Sequence, residues 1–361
     1  MTPDINHSRR QLLQCLALGA GAGILQGCRS MPDQNALPTR VANTRLYLTA
    51  CSGIVPPKQR QLALPRLAQA GFQLENTAAL ERSHQRFAGT DAQRLSDLQT
   101  LLTEPQLPPL VLAARGGYGA MRLLPHLDFS RLGARLKESR SSLVGYSDFC
   151  AIQLAVLAKS GVGSFAGPML GDFGAPSPSP YAINEFFSAI TTPQRSLRIA
   201  AAQPQPQGRG EGIFWGGNLS VLSSLAGTPY LPEIQGGLLF LEDVGEQPYR
   251  VERMLQQLHL AGVLSRQKAI FLGDFSMQKH VDVYDPHYNF DAVVAELRRI
   301  SGVPVFTGVP FGHIANKTTL PLGYPARFHS DGGGLSLQFF DYPTLSPAGL
   351  QPDAMLGTQL A

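Results

Sequence analysis

A serine hydroxyl turns into a nucleophile when a base can take its proton and a carboxylate orients that base. Ser147 is the residue placed for this, in the stretch Leu143-Val144-Gly145-Tyr146-Ser147-Asp148-Phe149. The apolar run breaks at Gly145 and leads directly into helix-like sequence. A serine on a tight strand-to-helix turn presents its hydroxyl past the sheet edge, beside the free N–H groups of the helix start. The stretch departs from G-x-S-x-G at its last position, and a plain helix N-cap is the competing reading. For the base, His313 stands in a Gly-bounded loop just after a predicted strand. For the acid, Glu242 closes another predicted strand, with Asp243 and Glu246 as rivals.

Other candidates carry less. Arg115-Gly116-Gly117-Tyr118-Gly119 gives a sharp turn that lets backbone approach a ligand closely, but it satisfies neither Walker spacing nor G-x-G-x-x-G. His259 falls in an amphipathic helix. His280 and His287, with Asp282 and Asp285 between them, lack the spacing of a compact helical ligand pair and read as a solvated loop.

The elements that must hold these residues alternate. Predicted strands at 46–50, 72–76, 110–114, 143–147 and 163–167 are separated by helical patterns at about 59–70, from Thr90, at 149–159 and at 184–191. Strands alternating with helices predict an α/β fold with a parallel sheet covered on both faces. Gln, Pro and Gly dominate from Ala201 to Gly212, where a domain boundary is expected. Beyond it come Trp215-Gly216-Gly217-Asn218-Leu219 before a short helix, a strand at 237–241, a helix with Val251, Met254, Leu255 and Leu258 on one face, and a strand at 269–272. A further helix carries Phe290, Val293, Val294 and Leu297. A hairpin flanks the turn Asp331–Gly334, and a loose tail is expected from Pro343.

The 361 residues are 43% hydrophobic and 16% charged, enough for two domains and too apolar for overall disorder. Ser8-Arg9-Arg10-Gln11-Leu12-Leu13 before the short apolar run to Leu25 has the pattern of a twin-arginine export signal. Leu25-Gln26-Gly27-Cys28 resembles a lipoprotein cleavage site, with Cys28 the lipidated residue. An ordinary cleaved signal or an uncleaved anchor is the other reading. Removing residues 1–27 lowers the net charge of +4 to about +3, too small a bias for a nucleic-acid partner. Cys51 and Cys150 are the cysteines of the folded part. Export permits a disulfide between them, and two buried thiols are the alternative.

Several motifs, taken in order, carry a resemblance. They are Arg86-Phe87-Ala88-Gly89-Thr90, Ala114-Arg115-Gly116-Gly117-Tyr118-Gly119-Ala120, Gly145-Tyr146-Ser147-Asp148-Phe149, Trp215-Gly216-Gly217-Asn218-Leu219, Leu241-Glu242-Asp243 with Pro248-Tyr249-Arg250-Val251-Glu252-Arg253-Met254-Leu255, and Phe311-Gly312-His313 with Leu320-Pro321-Leu322-Gly323. From about Thr44 to Leu322 the chain resembles the LD-carboxypeptidase family of serine peptidases, in particular the muramoyl-tetrapeptide carboxypeptidases that recycle murein.

The resemblance implies a glutamine-amidotransferase-like parallel-sheet domain and a smaller C-terminal α/β domain; with the composition break and the leader, these are expected at 44–200 and 201–342, after an export signal and tether at 1–43 and before a tail at 343–361. It implies Ser147 as nucleophile, His313 as general base and acid, and Glu242 as the orienting carboxylate, with the N–H groups of Gly117 and Asp148 as oxyanion hole. Arg115, Trp215 and Asn218 are expected to meet the substrate, although bracing of its own loop is the equal alternative for Arg115. No metal or cofactor is implied. The expected reaction removes the terminal D-Ala of a murein tetrapeptide through an acyl-enzyme. The alternatives are a relative that cleaves peptidyl-nucleotide antibiotics, conferring self-immunity, and a non-catalytic lipoprotein that binds muropeptides. The family also implies a homodimer. Export implies a periplasmic, lipid-anchored protein whose only membrane partner is that anchor; the cytoplasm, where murein recycling usually runs, is the alternative.

Two departures from the family's pattern flank the nucleophile. Ala50-Cys51-Ser52-Gly53 stands where Ala-Pro-Ser-Gly is common, and Cys150 where a Thr usually follows Ser-Asp-Phe. Together with export they suggest a Cys51–Cys150 disulfide beneath the site.

Overall fold

Short, continuously apolar runs separated by amphipathic helices dictate the first half of the molecule. In the computed structural model, which describes residues 44–200, 203–277 and 280–356, the order is β1 (Thr44–Thr49), α1 (Pro57–Gln69), β2 (Phe72–Glu75), α2 (Asp91–Thr103), β3 (Leu110–Ala113), α3 (Phe129–Glu138), β4 (Ser142–Gly145), α4 (Cys150–Ser160), β5 (Ser164–Ala166), α5 (Leu170–Phe173) and α6 (Pro180–Thr191). The expected export signal, the lipidation site at Cys28 and the tether fall outside the described residues.

Every residue of β3, β4 and β5 is buried, as strands covered on both faces must be. Local chemistry fixes the helix starts. Thr90 and Gln93 form a reciprocal capping box on α2, and the Ser179 hydroxyl accepts from Ala182 N–H at the start of α6, whose first residue is Pro180.

The second half contributes β6 (Arg195–Ala200), β7 (Gly208–Asn218), α7 (Leu219–Ser224), β8 (Gly237–Glu242), α8 (Pro248–Leu260), β9 (Gln267–Leu272), α9 (Phe290–Ser301), β10 (Val305–Phe306), β11 (Leu320–Leu322), β12 (Tyr324–Ser330) and β13 (Gly334–Phe339). Six strands form one sheet in the order β11-β5-β4-β3-β1-β2, parallel except for β11. Seven form the other, β10-β9-β8-β7-β12-β13-β6, parallel from β10 to β7 and antiparallel beyond.

Two strands pair away from their sequence neighbours. β6, which precedes the Gln/Pro/Gly stretch, closes the second sheet; β11, which follows the His313 loop, closes the first. The described residues therefore cluster as one compact unit. The expected loose tail is not loose over the described part. Leu345 N–H bonds to Ile190 C=O, Gln351 N–H bonds to Ala70 C=O, and Met355 is fully buried. No described helix is long and apolar enough to cross a membrane.

Candidate active site

The turn after β4 explains its own glycines. A β-carbon on Gly145 would stand 2.6 Å from the Phe149 ring and 2.7 Å from Ala113 Cβ, so only glycine lets the chain leave the sheet here. Tyr146 remains extended and Ser147 then adopts φ +59°, a left-handed backbone that a serine holds only when its surroundings impose it. That strained serine opens a single 3₁₀ turn into α4.

Ser147 Oγ lies 3.1 Å from His313 Nε2, and His313 Nδ1 lies 2.9 Å from Glu242 Oε2. A carboxylate oxygen accepts, so Nδ1 carries the proton and Nε2 is free to accept from the serine hydroxyl. Glu242 ends β8 and is wholly buried, whereas His313 is one-fifth exposed and Ser147 is also part-exposed. The serine thus comes from the first sheet, the acid from the second, and the imidazole from the loop between β10 and β11 that joins them.

Around this series, the loop after β3 passes directly over the serine. A β-carbon on Gly116 would stand 2.7 Å from Ser147 Oγ and 3.5 Å from Asp148 N, and Gly117 has φ +107°. Gly53 N–H bonds to Gly116 C=O, and Arg94, fully buried, donates to the carbonyls of Cys51 and Gly119. Asp148 Oδ2 accepts from Ser52 Oγ at 2.6 Å and from Ala120 N–H at 2.8 Å, tying the nucleophile turn to both neighbouring loops. The exposed Arg115 donates to Ile54 C=O at 2.7 Å, and Tyr118 is half exposed beside it.

Two expected substrate contacts belong to the interior instead. Trp215 is fully buried, because its indole N–H finds Gln267 Oε1 at 2.9 Å inside the second sheet, and it lines no cleft. Asn218 pairs in register with Glu242 across β7 and β8, and its Nδ2 donates to Glu242 Oε1 at 3.1 Å and Asp243 Oδ1 at 3.2 Å. It holds the acid rather than facing solvent. Asp243 also accepts from Ser220 N–H and Oγ; burial nevertheless raises its pKa above the usual carboxylate range.

The expected disulfide is absent. Cys51 and Cys150 are both free and buried, and they are satisfied separately. Cys51 Sγ sits 2.8 Å from Thr49 Oγ1, and Cys150 Sγ donates to Gly216 C=O at 3.6 Å in the other sheet. Burial pushes each thiol up to about 12.

His280 and His287 belong to a loop in which Asp282 and Asp285 accept from nearby backbone N–H groups, and no group of three or more His, Cys, Asp and Glu side chains among the described residues is arranged to hold a metal. Lys317 and Asp172, which carry no sequence signal, adjoin the site through Tyr146. Lys317, 2% exposed, donates to Tyr146 Oη at 2.8 Å and pairs with Asp172, while the Tyr146 ring meets His313 edge-on with 5.0 Å between centroids. Burial, then Asp172 and Glu242, raise the Tyr146 pKa well above that of free tyrosine, so the phenol stays neutral.

A strained serine on a strand-to-helix turn, hydrogen-bonded in series to an imidazole and a buried carboxylate, defines a serine hydrolase by geometry. Comparison with known proteins makes the class specific. Residues 46–167 match the N-terminal domain of LD-carboxypeptidases and residues 211–328 their C-terminal domain, and the chain belongs to that family of serine carboxypeptidases.

It is 40% identical to the muramoyltetrapeptide carboxypeptidase of Oxalobacter formigenes, whose crystal structure superposes with a TM-score of 0.77 over 83% of this chain and 100% of that one. The murein tetrapeptide carboxypeptidase of Pseudomonas aeruginosa is 32% identical over 78% of this chain and 92% of its own. A microcin C7 self-immunity protein shares the fold, at 22% identity and a TM-score of 0.71 over 84% of this chain and 98% of that one.

Proposed function

We propose that the protein is a serine LD-carboxypeptidase that removes the C-terminal D-Ala from murein tetrapeptides. The observation that carries this reading is the Ser147–His313–Glu242 series, at 3.1 and 2.9 Å, in a chain of this family. His313 Nε2 takes the Ser147 proton as Oγ attacks the carbonyl carbon of the scissile bond. The oxyanion forms beside the N–H groups of Gly117 and Asp148, where charge developing in the transition state is met by fixed dipoles. His313 returns the proton to the amine of D-Ala as the C–N bond breaks, leaving an ester on Ser147. Water, deprotonated by the same imidazole, hydrolyses that ester and releases the tripeptide. Arg115, an exposed cation one residue from the glycine that covers Ser147, meets the substrate's terminal carboxylate.

The leader sequence supports a periplasmic site of action with Cys28 lipidated, the cytoplasm being the alternative, and the family resemblance supports a homodimer.

Mature protein incubated with purified tetrapeptide, followed by mass spectrometry, tests the activity. Loss of one alanine residue, abolished in Ser147→Ala, is the expected result. Unchanged tetrapeptide overturns it: cleavage of a peptidyl-nucleotide antibiotic would then indicate a self-immunity role, and tight binding without cleavage a muropeptide-binding lipoprotein.

A further inference from the structure

His313 is carried by a loop, and a loop that supplies a base must be held from outside itself. Four consecutive residues after it, Asn316 to Thr319, are each fastened to the earlier stretch of chain between Tyr146 and Arg195. Ser179 Oγ donates to Asn316 Oδ1 at 2.7 Å. Lys317 Nζ reaches Tyr146 Oη and the Asp172 carboxylate of α5. Arg195 donates to Thr318 Oγ1 and Thr319 C=O, and Thr318 also donates to Glu185 of α6.

Of these only Lys317 leads back to the reacting groups. Its ammonium lies 4.4 Å from the centroid of the Tyr146 ring; that ring packs against the His313 ring, and the Tyr146 backbone leads directly into Ser147. Asp172 is itself fixed, its Oδ2 accepting from Met169 N–H at 2.9 Å. A lysine with three hydrogen-bond donors and almost no exposure is costly to bury unless the pair is well made. The simplest reason to place one four residues past the base, on the residue before the nucleophile, is register.

We propose that Lys317 is a positioning residue: through Tyr146 and Asp172 it docks the His313 loop onto the nucleophile turn, so that imidazole and serine meet at hydrogen-bond distance. The inference rests on the serine-hydrolase reading of the site. A misplacement of about 1 Å between reacting groups costs on the order of 100-fold in rate, and a change confined to the Ser147–His313 distance acts on kcat while leaving substrate contacts in place.

The test uses Lys317→Met and the double variant Asp172→Asn/Lys317→Met, which removes the carboxylate that the single change leaves unpaired. Two readouts are taken beside thermal stability: tetrapeptide kcat and KM, and the rate at which a fluorophosphonate labels Ser147, which needs no peptide. The expected result is that the double variant regains stability relative to the single one, while labelling and kcat both remain about 100-fold below wild type and KM changes little. Wild-type labelling in either folded variant overturns the proposal, because the pair would then be structural only. If wild type labels rapidly but leaves the tetrapeptide intact, the substrate reading fails and the labelling comparison still decides the role of Lys317.

Discussion

Gly217 lies against Cys150 so closely that a β-carbon on the glycine would stand 2.5 Å from the thiol sulfur. The contact joins the helix that starts just behind Ser147 to the strand that ends in Asn218. Gly217 also has φ +136°, a conformation nearly closed to other residues. Gly217→Ala is therefore expected to cost roughly 2–5 kcal/mol, combining backbone strain with overpacking. Cys150→Ala in the same chain removes the overpacking and leaves the strain, so recovery is partial. Urea denaturation of the single and double variants measures both parts; full recovery in the double variant would show that the backbone conformation carries no cost.

Asn218 bridges two buried carboxylates that no other side-chain amide reaches among the described residues. Asn218→Ala leaves Glu242 short of one partner. It is expected to lower kcat about 10- to 100-fold with KM nearly unchanged, the range for losing a hydrogen bond to a charged group. Asn218→Asp adds a third acid to the pair and is expected to be worse than alanine. A rise in KM with constant kcat would return Asn218 to the substrate-contact role.

Arg115 makes the opposite kind of prediction. If its guanidinium meets the terminal carboxylate, Arg115→Ala raises KM by about 10- to 100-fold, and the variant no longer distinguishes a tetrapeptide from its C-terminal amide. Equal discrimination by wild type and variant would leave Arg115 as a brace for the Ile54 carbonyl alone.

The two thiols give a pH signature. Each is raised from 9.0 to about 12 by burial, so the folded state holds its protons more tightly than the unfolded chain does. Stability from these groups is complete below pH 9 and is lost as pH rises toward 12. Replacing both with alanine should flatten that part of the alkaline stability profile, after allowance for the lower stability of the variant at neutral pH. Alkylation under denaturing conditions without reductant should modify both Cys51 and Cys150; a protected pair would restore the disulfide.

The nucleophile turn is legible because one glycine interrupts a strongly apolar run, and Glu242 and His313 because both sit where such runs end. The strand β7 is hidden for the opposite reason. Gly208, Gly210, Gly212, Gly216 and Gly217 give it the composition of a linker, yet each of the last three is forced by close approach: a β-carbon would meet Gly236 C=O, Phe240 C=O or the Cys150 sulfur within 2.5 Å. Trp215 and Asn218, lying in that unseen strand, look like cleft residues until the strand pairs with β8. The disulfide expectation fails similarly. Two cysteines at sheet ends resemble a pair, and only three dimensions show that each sulfur turns to a different partner. Lys317 gives no signal, since a buried lysine is spelled like an exposed one.

The placement of β11 bears on synthesis. Until the ribosome has delivered Leu320–Leu322, β5 remains an open edge with unpaired backbone groups. The stretch that completes the first sheet follows the base by only seven residues. A growing chain thus acquires its last catalytic group and the closure of its first sheet almost together, and a chain halted earlier holds neither a finished sheet nor a working hydrolase.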